Sequence, residues 1–255
     1  MAGTTPSSGA RSVGLVTGGG RGIGLAIVRA WARRGVAAAV VDREAAGEAA
    51  VRSVCGDTPF AYYTEDVRDH ARAGEIVADA VARLGRLDYL VLNAGITRDR
   101  VSWKMSEQEW DEVLGVNLKG AFNYVRAAAP GLRAQGSGSI VFVSSINGLR
   151  GKFGQTNYAA SKAGMIGMAR SLALELGPSG ITVNVVAPGM VRTEMSAGLP
   201  AEVVERAISE SALKRLAEPE DVAEVVSFLC GPMARHVTGT VLRVDGGQAL
   251  AGETA

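Results

Sequence analysis

Tyr158 and Lys162 stand four residues apart in Asn157-Tyr-Ala-Ala-Ser-Lys162. Four residues is about one helical turn, so on a helix the phenol and the ammonium share a face. A free tyrosine titrates near pH ~10, too high to exchange protons readily at neutrality. An adjacent cation stabilises the phenolate. The pairing therefore predicts a Tyr158 pKa pulled down and a phenol usable as a general acid or base. A Tyr/Lys pair also arises by chance on helix surfaces, so its meaning depends on the rest of the chain.

Near the N-terminus runs Val13-Gly-Leu-Val-Thr-Gly-Gly-Gly-Arg-Gly-Ile-Gly-Leu-Ala-Ile-Val28. Val13 to Val16 reads as a buried strand, and the apolar-rich segment ending at Arg34 reads as a helix. Between them, Gly18, Gly22 and Gly24 permit a tight turn, backbone approach to a pyrophosphate and close helix–strand packing. A diphosphate would sit at the helix N-terminus, where free N–H groups and the dipole favour anions. Glycine-rich turns are common, but this one heads a βαβ pattern. Ser145 lies in Val143-Ser-Ser-Ile146, at the carboxyl end of a predicted strand, where open α/β sheets place their ligands. Its hydroxyl could hold and polarise a substrate oxygen. Ser144 competes for that role. Asn117, in Gly115-Val-Asn-Leu118, reads on its own as a polar residue inside a helix.

Taken together, Thr17-Gly-x-x-x-Gly-Ile-Gly24, Asn93-Ala-Gly95, a serine thirteen residues before Tyr158, Tyr158-x-x-x-Lys162 and Pro188-Gly189 resemble the short-chain dehydrogenase/reductases. The match covers about residues 12–248. Within that family, Asn147-Gly-Leu-Arg-Gly-Lys-Phe-Gly-Gln-Thr-Asn-Tyr158, Asn93-Ala-Gly-Ile-Thr-Arg-Asp99 and Gly180-Ile-Thr-Val-Asn-Val-Val-Ala-Pro-Gly189 resemble the branch that reduces 3-oxoacyl thioesters on acyl carrier protein or coenzyme A.

That resemblance implies a catalytic set of Asn117, Ser145, Tyr158 and Lys162. Tyr158 would protonate the carbonyl oxygen as hydride arrives. Lys162 would lower the Tyr158 pKa and bond the nicotinamide ribose. Asn117 would prop a water beside the lysine, and spacing to Tyr158 favours Ser145 over Ser144. Nicotinamide dinucleotide contacts would come from Gly18, Arg21, Gly22, Ile23 and Gly24, and from Asp42 and Arg43 at the end of the second strand. Asp66 and Val67 would touch the adenine, and Asn93, Ala94 and Gly95 the adenosine side. Pro188, Gly189, Val191 and Thr193 would approach the nicotinamide. Phe153 and Gln155, with Lys152 and Thr156, would border the acyl pocket under a lid near 190–215. The product would be a (3R)-hydroxyacyl thioester, formed in fatty acid, polyketide or hydroxyalkanoate synthesis by a homotetramer.

Cofactor and substrate stay open at this level. Asp42 would accept bonds from the adenosine ribose hydroxyls and repel a 2′-phosphate, which favours NAD(H). Arg21 and Arg43 occupy positions where NADP(H)-dependent members carry base. Arg98, Arg100, Lys104, Arg150 and Lys152 are candidate cations for a phosphopantetheine arm, or simply a charged surface. The basic residues that carrier-protein reductases often place before the fifth strand and after the catalytic helix are replaced by Gly136-Ser-Gly138 and Gly177-Pro-Ser-Gly180. Only Arg126 or Arg133 could substitute. A dehydrogenase of some other secondary alcohol and a non-catalytic dinucleotide sensor are the competing readings.

Composition sets the outer limits. The chain has 255 residues and a net charge of +1, which gives no sign of nucleic acid or an anionic membrane surface as partner. No apolar run approaches the ~20 residues that span a bilayer, and residues 1–11 have no apolar stretch fit for a signal peptide. These residues read as a disordered tail ahead of one catalytic domain over 12–255. Cys55 and Cys230 lie far apart, read as packing residues and suit a reducing cytoplasm, while His70 and His236 are too scattered for a zinc site. Strands are predicted at 13–17, 36–41, 60–63, 87–92, 139–144, 181–186 and 239–244. Helices are predicted near 22–34, 43–55, 69–84, 106–133, 157–177 and 219–230. This alternation predicts a single α/β domain, a doubly wound Rossmann-type parallel sheet of seven strands with helices on both faces.

Overall fold

In the computed structural model, residues 11–252 are described. The predicted tail falls outside them except for Arg11, as do residues 253–255 of the predicted domain. The strands are β1 (Val13–Thr17), β2 (Ala37–Asp42), β3 (Phe60–Thr64), β4 (Tyr89–Leu92), β5 (Gly138–Val143), β6 (Ile181–Pro188) and β7 (Val241–Val244). All seven pair in parallel in the order β3-β2-β1-β4-β5-β6-β7. Chain order reverses between β1 and β4, and the crevice outside their carboxyl ends is where such sheets take ligands.

The helices are α1 (Gly22–Ala32), α2 (Gly47–Cys55), α3 (His70–Leu84), α4 (Glu107–Leu114), α5 (Gly120–Gln135), α6 (Asn147–Arg150), α7 (Thr156–Leu176), α8 (Glu194–Ala197), α9 (Ala201–Glu210) and α10 (Pro219–Cys230). One layer packs Ile27, Trp31, Val51, Val222 and Val226 of α1, α2 and α10 against Val16, Val40 and Val141 of the sheet. The opposite layer packs Ile76, Tyr124, Leu132 and Met165 of α3, α5 and α7 against Leu15, Leu90 and Phe142. Strands buried on both faces account for the near-continuous apolar runs in the sequence. Cys55 and Cys230 are free and buried in the first layer, as packing residues. Among the described residues, no helix is long and apolar enough to cross a membrane.

One element differs from expectation in a way that bears on the site. The span 106–133 is not one helix. After α4, which Ser106 and Glu109 cap reciprocally, residues Gly115–Lys119 form a π-turn before α5 begins. Such widened turns are frequent at functional positions. Here the turn carries Asn117.

Candidate active site

A cleft of about 630 Å³ opens over the carboxyl ends of the strands. At one end β1 turns into α1 through Gly18 and Gly22, whose φ angles of 65° and 52° lie where side chains are disfavoured. A Cβ on Gly24 would overlap the Gly18 carbonyl oxygen, so this turn closes only around glycine. No side chain caps the start of α1, so its first N–H groups face the cleft without a side-chain acceptor. An uncapped helix start beside a glycine turn fits a diphosphate.

The surrounding walls are cross-tied. Thr17 Oγ1 accepts from the Asn93 and Ala94 N–H groups at 3.1 and 3.2 Å, and Asn93 Nδ2 donates to the Gly18 carbonyl at 2.8 Å. Asp42, the last residue of β2, accepts from Gly20 N–H at 2.8 Å and from Glu44 N–H at 3.1 Å. Its carboxylate is thereby fixed at the rim where a ribose would lie. Arg43 pairs with Glu44 at 3.3 Å, and Arg21 is exposed beside it on the cleft wall. Asp66, held below the usual carboxylate range first by its bonds to Arg68, and Val67 complete this end of the cleft. Gly95, Ile23, Pro188, Gly189, Val191 and Thr193 also line the cleft, whereas Gly24 and Asn117 stand behind its wall.

At the other end, α7 presents Tyr158 to the cleft while Lys162, one turn on, is buried at 3% exposure. Lys162 Nζ donates to the Val143 carbonyl at 2.8 Å and stands 5.6 Å from the centre of the Tyr158 ring. Ser145, just past β5, is buried and hydrogen-bonded to Tyr158. Ser144, its competitor, donates to the Lys162 carbonyl at 2.8 Å and faces the helix instead. The buried Asn117 side chain accepts from Ile96 N–H at 2.8 Å and donates to Ile96 O at 3.1 Å and to Ser161 Oγ at 3.0 Å. An atom added at Gly95 would lie 3.3 Å from Lys162 Nζ and 3.4 Å from Asn117 Oδ1, so both groups crowd the same spot.

The electrostatics correct one expectation. Lys162 does not pull Tyr158 below its ordinary range. Burial pushes the phenol up to about 12, the Ser145 hydrogen bond draws it back, and the Asp99 carboxylate raises it further. Burial also pushes Lys162 down to about 8. The ammonium spends its short bond on a carbonyl rather than on the phenol oxygen. The resting state near neutrality is therefore an intact phenol, which suits proton donation.

Phe153 was expected to border the acyl pocket, but it is 86% exposed and lies outside the cleft lining. Gln155 does line the cleft, with both ends of its amide engaged: Nε2 donates to Asp99 at 2.8 Å and Oε1 accepts from Asn147 at 3.0 Å. Sequence reading missed Asn157, Gln248 and Glu210. Asn157 donates to the carbonyls of Arg98 and Glu109 and accepts from Tyr158 N–H, tying α7 to the loop after β4 and to α4. Gln248 accepts from Met190 N–H at 3.0 Å and donates to Glu210 at 3.2 Å, joining the C-terminal segment to the end of α9. Arg150 donates to the same Glu210 at 3.1 Å. Nothing in a single sequence marks Gln248 or Glu210, because their partners are remote along the chain.

Comparison with known proteins agrees with this geometry. The pattern of the family described as enoyl-(acyl carrier protein) reductase matches residues 18–249. The 3-oxoacyl-[acyl-carrier-protein] reductase FabG of Thermotoga maritima is 43% identical, over 92% of this chain and 97% of that protein. An acetoacetyl-CoA reductase of Rhizobium meliloti is 42% identical, over 94% of this chain and 99% of the relative. Among solved structures, levodione reductase superposes with a TM-score of 0.90 at 34% identity, covering 95% of this chain and 99% of that one. The chain belongs to the short-chain dehydrogenase/reductase family.

Proposed function

We propose that this protein reduces a 3-oxoacyl thioester, borne by coenzyme A or acyl carrier protein, to the (3R)-hydroxyacyl thioester. The observation that carries this reading is the convergence of Ser145, Tyr158 and the buried Lys162 at one end of a cleft whose other end fits a dinucleotide. A nicotinamide dinucleotide bound along Gly18–Ile23, Asp42 and Asn93–Gly95 supplies the hydride. Ser145 and Tyr158 hold the substrate carbonyl oxygen and stabilise the charge that develops on it. Tyr158 then gives up its phenolic proton to that oxygen. Lys162 and Asn117, buried together behind Gly95, bring in the replacement proton. The thioester branch is supported by the relatives' activities and by Arg98, Arg150 and Lys152 on the cleft wall.

NAD(H) is the proposed cofactor, on the strength of the Asp42 carboxylate held at the rim by two backbone N–H groups. Arg21 beside it keeps NADP(H) as the second reading. A homotetramer working in the cytoplasm is the proposed setting. It is supported by Phe122 and Leu174 exposed on α5 and α7, two helices through which members of the family usually pair, and by two buried free thiols. The test is loss of absorbance at 340 nm with acetoacetyl-CoA and either NADH or NADPH. Turnover with NADH in preference supports both readings, and turnover only with a simple secondary alcohol and NAD⁺ overturns the thioester assignment.

A further inference from the structure

Beyond the four expected catalytic residues, one run of hydrogen bonds ends on the Ser145 hydroxyl. Asp99, in the loop after β4, accepts from Gln155 Nε2 at 2.8 Å. Gln155 Oε1 accepts from Asn147 Nδ2 at 3.0 Å, and Asn147 N–H donates to Ser145 Oγ at 3.1 Å. An ionised carboxylate can only accept, so Asp99 decides which end of the Gln155 amide faces it. That choice turns the carbonyl end of Gln155 toward Asn147 and fixes the Asn147 side chain in turn. Gln155 is buried, at 5% exposure, so neither end of its amide has bulk water as a ready alternative. Asn147 opens α6, and its backbone bond to Ser145 occupies a lone pair of the serine oxygen. The Ser145 hydroxyl is left with its bond to Tyr158, on the cleft side.

We propose that Asp99 is a positioning residue for the reduction, acting through Gln155 and Asn147 to hold the Ser145 hydroxyl toward the substrate carbonyl. The proposal deepens the reductase reading and rests on it. It also reassigns Gln155 from a substrate contact to a link in this chain. The two roles differ in their kinetic signatures. A substrate contact made equally in the ground and transition states raises KM when removed, whereas a group that orients Ser145 lowers kcat.

The test is steady-state reduction of acetoacetyl-CoA by Asp99→Asn, Gln155→Leu and the double variant, with Asp99→Glu as the conservative control and Tyr158→Phe as the reference for the site itself. Thermal melting establishes that each variant is folded. The expected result is a kcat lowered on the order of 10-fold by either single change, within the ~10²-fold that misplacing a catalytic group can cost. KM for the thioester stays within about 2-fold, and Asp99→Glu recovers part of the rate. The double variant is no slower than the worse single, because residues acting as one unit are not additive. A raised KM with unchanged kcat in Gln155→Leu, or additive losses in the double variant, overturns the proposal. If Tyr158→Phe itself turns over normally, the reductase reading has failed instead, and the two failures are thereby told apart.

Discussion

Lys162 Nζ donates to the carbonyl oxygen of Val143 across 2.8 Å, so α7 is bolted to the end of β5 by the very ammonium that the proposed mechanism uses. Burial lowers the pKa of this group to about 8. In reduction the charged form is the useful one, so kcat is expected to fall as pH rises through about 8. The stability term has the opposite sign. Between about 8 and its ordinary value of 10.5 the unfolded chain binds a proton here that the folded chain does not, so this lysine's contribution to stability grows with pH. Parallel pH profiles of kcat and of the denaturant midpoint, for the wild type and Lys162→Met, separate the two effects.

Tyr158→Phe removes the hydroxyl proposed to protonate the substrate while leaving the ring. Turnover should drop by about 10²–10⁴-fold, the usual worth of a positioned acid. Dinucleotide binding, followed by fluorescence titration, should persist. Near-normal turnover would remove Tyr158 from the mechanism.

Adjacent serines should behave differently. Ser145→Ala is expected to cost on the order of 10²-fold in kcat, as loss of a donor to a developing oxyanion does. Ser144 donates to the Lys162 carbonyl, so Ser144→Ala should cost about 1 kcal/mol of stability with most of kcat retained. Kinetics and melting of the two variants side by side decide the matter, and an inverted pattern would reassign the catalytic serine.

Asp42→Ala should shift preference toward NADPH. The carboxylate would bond a ribose hydroxyl and repel a 2′-phosphate, and such a charged bond is worth about 1.5–3 kcal/mol, or roughly tenfold and more in affinity. The ratio of kcat/KM for the two cofactors is the readout, and an unmoved ratio would rule out Asp42 as the selector.

Gly95→Ala places a methyl 3.3 Å from Lys162 Nζ and 3.4 Å from Asn117 Oδ1. Either polar group must yield, and a displacement of this kind is expected to cost about 10²-fold in kcat. A hydrated proton path through this spot should show as an altered solvent isotope effect on kcat in the variant.

The strands and most helices were legible because each carries its own local signal: short apolar runs, the Ser106/Glu109 cap, Pro219 in the first turn of α10. The cofactor rim was legible for the same reason, since a glycine turn is a local feature. What escaped was set by distance along the chain. The π-turn at Gly115–Lys119 looks like helix in sequence, since its widening is supported by bonds from Asn117 to Ile96 and Ser161. Phe153 reads as pocket from its place just before Tyr158 in the family pattern, yet the loop through Gly151 and Gly154 turns it outward. The Tyr158 acidity was misjudged because helical spacing shows proximity and not the bond the ammonium prefers.

The parallel sheet has a consequence for how the molecule is born. Its cleft draws on residues from Gly18 to Gln248, nearly the whole described chain, and every strand pairing spans an intervening crossover. Synthesis delivers the glycine turn first and Gln248 among the last, and contacts of such long separation form slowly. A nascent chain released only through β5 would own the rim that fits a diphosphate but neither Tyr158 nor the acceptor that secures Met190. For this chain the glycine turn that fits a diphosphate is made well before Tyr158, and Gln248, beyond the last strand, joins the cleft later still.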